Sequence, residues 1–189
     1  MKAAFILFDR MTFLDFIGFY DAVTRLKTMK IQAEFEWRTH AQSKLVTDDR
    51  NMRLEADVVG GSLAGYDMLF IPGGFTTRAL QHDAAFVKWL QTATDAKLKV
   101  SVCTGALLLG AAGYLKGLRA TTHPSAYKEL EPYCKTVIQE RVVDEGDIIT
   151  GRGVSTSIDL GLHVVEKLAG AEARARVAAQ MDYPYHWRG

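Results

Sequence analysis

The sequence is poor in cysteine. Cys103 and Cys134 are the two in 189 residues. That is too few for a disulfide framework, and no second Cys or His pair sets up a zinc site. Net charge is also scarce: 23 Lys and Arg stand against 22 Asp and Glu. With no basic run in the chain, nucleic acid is not expected as a partner. Long hydrophobic runs are missing as well. Charge or glycine interrupts every apolar stretch before it could cross a bilayer, so no membrane partner is expected. The opening "MKAAFILFDR" is too short for a secretory signal and has no small-residue cleavage site, so it reads as a buried strand. A reducing cytoplasm is the expected location. No repeat, linker or low-complexity segment appears, which points to one domain over residues 1–189.

What is present is alternation. "KAAFILF" is a strand buried on both faces, stopped by Asp9 and Arg10. "FLDFIGFYDAVTRLK" has helical spacing, with Leu14, Ile17 and Ala22 facing a core and Gly18 weakening the first turn. "AEFEWRTH" and "DMLFIPGG" read as strands, the second halted by Pro72, Gly73 and Gly74. "DAAFVKWLQTATDAK" is an amphipathic helix with Asp83 as N-cap. "KVSVC" is a strand and "TGALLLGAAGYL" a helix. "LRATTH" is a further strand, and Ser125 caps the helix "SAYKELEPYC". "TVIQERVVDEGDIITG" gives short strands turning at Glu145-Gly146. "SIDLGLHVVEKLAG", closed by Gly170, and "AEARARVAAQM" complete the chain as helices. This order predicts an α/β three-layer sandwich, a mostly parallel sheet with helices on both faces. Ligands of such sheets bind beyond the carboxyl ends of the strands. Gly73-Gly74, Cys103-Thr104 and His123-Pro124 are all expected at that edge.

The stretch "SVCTGALLLGAAG" puts Cys103 where a strand turns into a helix. Such a turn strains the backbone and exposes the side chain, and the helix N-terminus favours a thiolate. A buried cysteine that only fills the core is the competing reading. Cys134 has no such context and reads as structural.

These blocks taken together resemble the ThiJ/PfpI superfamily of cysteine-elbow proteins. "FIPGG" precedes the cysteine and "ATTHP" follows it, and the likeness runs from "AFILFDRMTFLDFIGFYDAV" to "TGRGVSTSIDLGLHVVEKL". The resemblance implies a flavodoxin-like, class I amidotransferase-like fold with Cys103 as nucleophile. It implies an acidic partner at Asp15, where N-capping is the plainer use of an aspartate. The Cys103-Thr104-Gly105 run and the Asp at 15 are similar to the isocyanide hydratase branch. Cys-Thr-Gly is also similar to domains of AraC-type regulators. Their helix-turn-helix segment is not expected here, since the chain ends at Gly189. Phe19 departs from the hydratase pattern, which has Gly-Pro there, and is placed at the pocket mouth. His163 and His186 lack the His-x-Glu pairing of glutamine amidotransferases.

The resemblance thus implies a lyase that hydrates isocyanides to N-formamides through a Cys103 thioimidate. Asp15 moves the proton, and Thr104 holds polar atoms. Gly73 and Gly74 form either a turn or an oxyanion hole built from backbone N–H groups. His123 either bonds the backbone at its strand end or contacts substrate. Capping and dipole compensation account for Ser155, Thr156 and Asp159. No metal or organic cofactor is required. The alternatives are a glyoxalase or deglycase acting on ketoaldehydes, and a non-catalytic ligand-binding or oxidation-sensing protein. A homodimer is expected. Phe13, Phe16, Phe19 and Tyr20 supply either its seam or the protein's own core.

Overall fold

In the computed structural model, residues 1–185 are described. The elements are, in order, β1 (Lys2–Ile6), α1 (Phe13–Thr28), β2 (Glu36–Ala41), β3 (Leu45–Thr47), β4 (Arg53–Glu55), β5 (Val58–Val59) and β6 (Met68–Ile71). Next come α2 (Thr77–Leu80), α3 (Ala84–Leu90), β7 (Leu98–Val102), α4 (Gly105–Ala111), β8 (Arg119–Ala120) and α5 (Tyr127–Leu130). β9 (Thr136–Val137), β10 (Val142–Asp144), β11 (Ile148–Gly151), α6 (Thr156–Ala169) and α7 (Ala171–Gln180) follow.

The main sheet runs β10-β11-β7-β6-β1-β2-β5. All its pairs are parallel except β10 with β11. β1 and β6 are near-continuous apolar runs because helices cover both of their faces. On one face Phe5 meets Phe16, Phe19 and Tyr20 of α1 edge-on. α6 and α7 pack beside α1 in that layer, while α4 contacts α2 and α5 in the other. The α/β expectation is met. Asp83 caps α3 by accepting from the Ala85 and Phe86 N–H groups, and Gly170 closes α6.

Several local expectations are corrected. Leu14 and Ile17 lie 51% and 45% exposed, whereas Ala22 is buried as expected. Helical spacing allows more than one inward stripe on α1, and the larger aromatic one, Phe13, Phe16 and Phe19, took the sheet. Phe19 is fully buried, stacked on Phe70 with centroids 3.9 Å apart. It therefore stands at neither a pocket mouth nor a subunit seam. Gly18 does more than weaken a turn, because a Cβ there would lie 2.2 Å from Ser157 Oγ. Its absence lets α6 lie against α1.

The strand expected over "LRATTH" shrinks to β8, which pairs with β9 outside the main sheet. Ser125 is not the cap of the following helical turn. The His123 side chain holds that place by accepting the Ser125 N–H. The hairpin β3–β4, the short β5 and α2 were not anticipated, each too brief to show a period.

Replacing Phe19 with Ala empties a stacked, fully enclosed position. We expect a loss of about 3–5 kcal/mol, measured as a drop in urea midpoint with little change in slope.

Candidate functional site

Cys103 sits between β7 and α4 with φ of +55°. A non-glycine residue held there stores about 1–3 kcal/mol of strain. Two hydrogen bonds fix the strained residue. Its N–H donates to Gly151 O at 3.0 Å, and its carbonyl accepts from Thr122 Oγ1 at 2.8 Å. The elbow expected from the sequence is present, but its side chain is not exposed: Cys103 is 6% accessible. Cavities of about 1100, 880, 590 and 390 Å³ open on the surface, and Cys103 lines none of them.

Asp15 comes from the first turn of α1 and is fully buried. It does not cap its own helix, where Thr12 is the N-cap. Its Oδ2 accepts the Gly73 N–H at 3.0 Å, while Oδ1 is buried without a hydrogen-bond partner. Gly73 is where the parts meet. A Cβ on it would lie 2.6 Å from Thr104 N, 2.7 Å from Cys103 Cβ and 2.8 Å from Asp15 Oδ2. Every side chain larger than hydrogen would force carboxylate, thiol and loop apart.

The Thr104 hydroxyl is spent on the same loop. It accepts the Gly74 N–H and donates to Gly74 O, both at 3.0 Å. This corrects the proposed oxyanion hole. The N–H groups of Gly73 and Gly74 are committed to Asp15 and Thr104, so these glycines organise the site instead. The Thr104 N–H remains at the start of α4, directed at the sulfur.

Burial sets the electrostatics. It pushes the Asp15 carboxyl from its ordinary 3.8 up to about 7; the Gly73 and Cys103 hydrogen bonds lower it, and the Asp49 charge raises it. Burial also pushes the Cys103 thiol up, to about 12, with the Asp15 charge next and the Thr104 N–H opposing. The depressed thiol expected at a helix N-terminus is thus overturned. Desolvation and a neighbouring carboxylate outweigh the dipole of so short a helix. Buried side by side, each group once ionised makes ionisation of the other harder.

His123 lies beside this centre. Its Nδ1 accepts the Ser125 N–H at 3.2 Å and meets Ser125 Oγ at 2.9 Å. None of its hydrogen bonds reaches Cys103 or Asp15. The backbone carries the connection, since the preceding Thr122 holds the Cys103 carbonyl. Asp159 is buried in an ion pair with Arg141 and accepts from Tyr183 OH at 2.7 Å. It also stands in the first turn of α6, where the dipole reading expected it. Ser155 makes no side-chain cap, and its Oγ accepts from Arg141 instead. Thr156 Oγ1 accepts the Gly153 N–H at 3.2 Å. His163 pairs with Asp144 at 2.8 Å, and His186 lies outside the described residues. Cys134 is half-buried, its thiol near Leu130 O at 3.6 Å. Among the described residues no group of three or more His, Cys, Asp or Glu is placed to hold a metal ion, and no helix is long and apolar enough to cross a membrane.

The DJ-1/PfpI family pattern matches residues 1–167. The chain belongs to the DJ-1/PfpI family. It is 32% identical to a Pseudomonas putida protein named isonitrile hydratase, over 97% of this chain and 78% of that one. It is 34% identical to Drosophila melanogaster protein DJ-1alpha over 64% of this chain and 56% of the relative. Among solved structures, a THiJ/PfpI family protein from Pseudomonas syringae superposes with a TM-score of 0.87 at 27% identity. That match covers all of this chain and 77% of the other. Schizosaccharomyces pombe DJ-1, at 21% identity and a TM-score of 0.81 over 97% of this chain and 100% of its own, shares the fold.

The buried DJ-1/PfpI pair has a measurable consequence. The unfolded chain releases the Asp15 proton near 3.8, while the folded protein keeps it up to about 7. Folding takes up a proton between those values, so stability falls as pH rises through that window. Asp15→Asn removes this loss. Thermal melts should show the variant more stable than wild type at about pH 8 and without that advantage at about pH 4.

Proposed function

We propose that the protein is a cysteine-dependent hydratase that converts isocyanides to N-formamides. The observation that carries this reading is Asp15: a buried carboxyl that retains its proton to about pH 7 beside a cysteine held at positive φ. The likeness to the Pseudomonas putida isonitrile hydratase over nearly the whole chain supports it.

In this reading the Cys103 sulfur attacks the terminal carbon of R–N≡C. The thiol proton passes by way of Asp15 to that carbon, giving the thioimidate R–N=CH–S–Cys103. Water adds to the same carbon, one of its protons reaching the nitrogen. Collapse of the adduct breaks the C–S bond and releases R–NH–CHO, and the remaining proton returns to the Asp15–Cys103 pair. The Thr104 N–H stabilises the sulfur anion, and in a low-dielectric setting that hydrogen bond is stronger than it would be in water. Thr104 Oγ1 and Gly73 hold the geometry.

Incubation with an aryl isocyanide, and separately with methylglyoxal, tests the reaction class. We expect formamide from the first and no lactate from the second. Cys103→Ala should abolish turnover with the fold intact. Asp15→Asn should reduce it by about 10² or more, the scale of a lost general acid. Lactate without formamide would replace this reading with a ketoaldehyde enzyme. Neither product would leave a ligand-binding or oxidation-sensing protein.

We further propose a homodimer joined along α1. Leu14 and Ile17, which flank Asp15, are exposed on that helix. Ile17 shares a cavity wall with Met52, itself 59% exposed. Exposed apolar groups gathered in this way mark interfaces. Ile17→Glu should shift the protein from dimer to monomer in equilibrium sedimentation at micromolar concentration. A monomeric wild type would remove the proposal.

A further inference from the structure

We propose that Phe75 is a stacking platform for an aryl group, which makes the molecules that react at Cys103 aromatic ones. The inference rests on the reading of Cys103 as nucleophile, and it deepens that reading by naming the substrate class.

Phe75 follows Gly74, whose N–H and carbonyl are both held by the hydroxyl of Thr104, the residue after Cys103. The Thr77 hydroxyl donates to the same Gly74 carbonyl at 2.8 Å. The backbone of Phe75 is therefore fixed close to the elbow. Its side chain is nevertheless 70% exposed, unlike the aromatic residues of α1, which went to the core.

One face of the ring is already supported. The Arg78 guanidinium lies 5.7 Å from its centroid, close enough for cation–π attraction. Arg78 is itself tethered, with Nε on Glu129 Oε1 at 2.9 Å and a terminal nitrogen 3.3 Å from Ser125 Oγ. Ser125 Oγ in turn meets His123 Nδ1. The chain from Phe75 through Arg78 and Ser125 to His123 thus links two segments that border Cys103. Glu129 pairs with Arg78, so that guanidinium is already matched by a carboxylate. What Phe75 offers is a flat, preordered apolar face, and offset stacking is what a planar ring gains from one. Little ordering entropy is lost when a ligand lands on it.

The test compares alkylation of Cys103 by N-phenylmaleimide and N-methylmaleimide, followed at that residue by peptide mass spectrometry. Dividing the rate ratio by that of free cysteine removes intrinsic reactivity. We expect the wild-type ratio to exceed the free-thiol ratio by about tenfold. Phe75→Ala should bring it close to one, and Phe75→Tyr should keep it. A wild-type ratio near one, or a ratio unchanged in Phe75→Ala, overturns the platform. If Phe75→Ala instead dissociates a dimer and the preference survives, the ring serves the partner subunit and the proposal fails. With phenyl and methyl isocyanide as substrates, Phe75→Ala should raise KM for the first alone. A phenyl preference at Cys103 without formamide from either isocyanide would end the hydratase reading and leave the aryl site standing.

Discussion

The close approach at Gly73 is the constraint on which the site depends. The position where a Cβ would stand is already crowded by Asp15 Oδ2, Cys103 Cβ and Thr104 N, each within 2.8 Å. Three parts of the chain are thereby joined: the first turn of α1, the loop after β6, and the turn from β7 into α4. The remaining contacts secure that junction. Thr104 clasps Gly74, Gly151 and Thr122 hold the strained Cys103 backbone, and the α1 aromatics on Phe5 and Phe70 fix the helix that carries Asp15. Gly18 belongs to the same scheme, since its missing side chain lets α6 brace α1 from behind.

Burial then determines the chemistry. A carboxyl and a thiol placed together away from water resist losing both protons, so one proton stays with the pair near neutral pH. A mobile proton is what addition to an electrophilic carbon requires. The same burial makes the folded state less stable as pH rises. A pair held at a disadvantage to stability is better explained by use than by packing. Neither group needs a metal for the proposed reaction, whose steps are proton transfers and a reversible bond to sulfur.

Around this closed centre the surface is apolar in particular places. Leu14 and Ile17 flank Asp15 on α1, and Phe75 follows the clasped Gly74. These side chains come from segments that otherwise contribute to the core or the pair, and they sit outside because the inward positions were already filled. The assignment of α1 to a subunit contact and of Phe75 to a ligand ring divides this surface by shape. The helix presents a ridge, while Phe75 presents one flat face backed by a tethered guanidinium.

Much of the fold could be read from the sequence. The alternation of apolar strands with helices determined a mostly parallel sheet covered on both faces, because a fully apolar strand needs cover on both sides. The turn from "KVSVC" into "TGALLLGAAG" determined the elbow, since a small-residue helix directly after a strand leaves one residue to absorb the reversal. Other features were decided only by tertiary structure. Which stripe of α1 faced the sheet was settled when Phe19 found Phe70, a contact across 51 positions of sequence. The thiol's titration was decided by enclosure and by Asp15, which outweighed a helix terminus that sequence alone could see. The fate of the Gly73 and Gly74 N–H groups, and the capping role of His123, were likewise beyond reach. Hydrogen bonds between distant segments depend on where each partner comes to rest, and no local pattern records that.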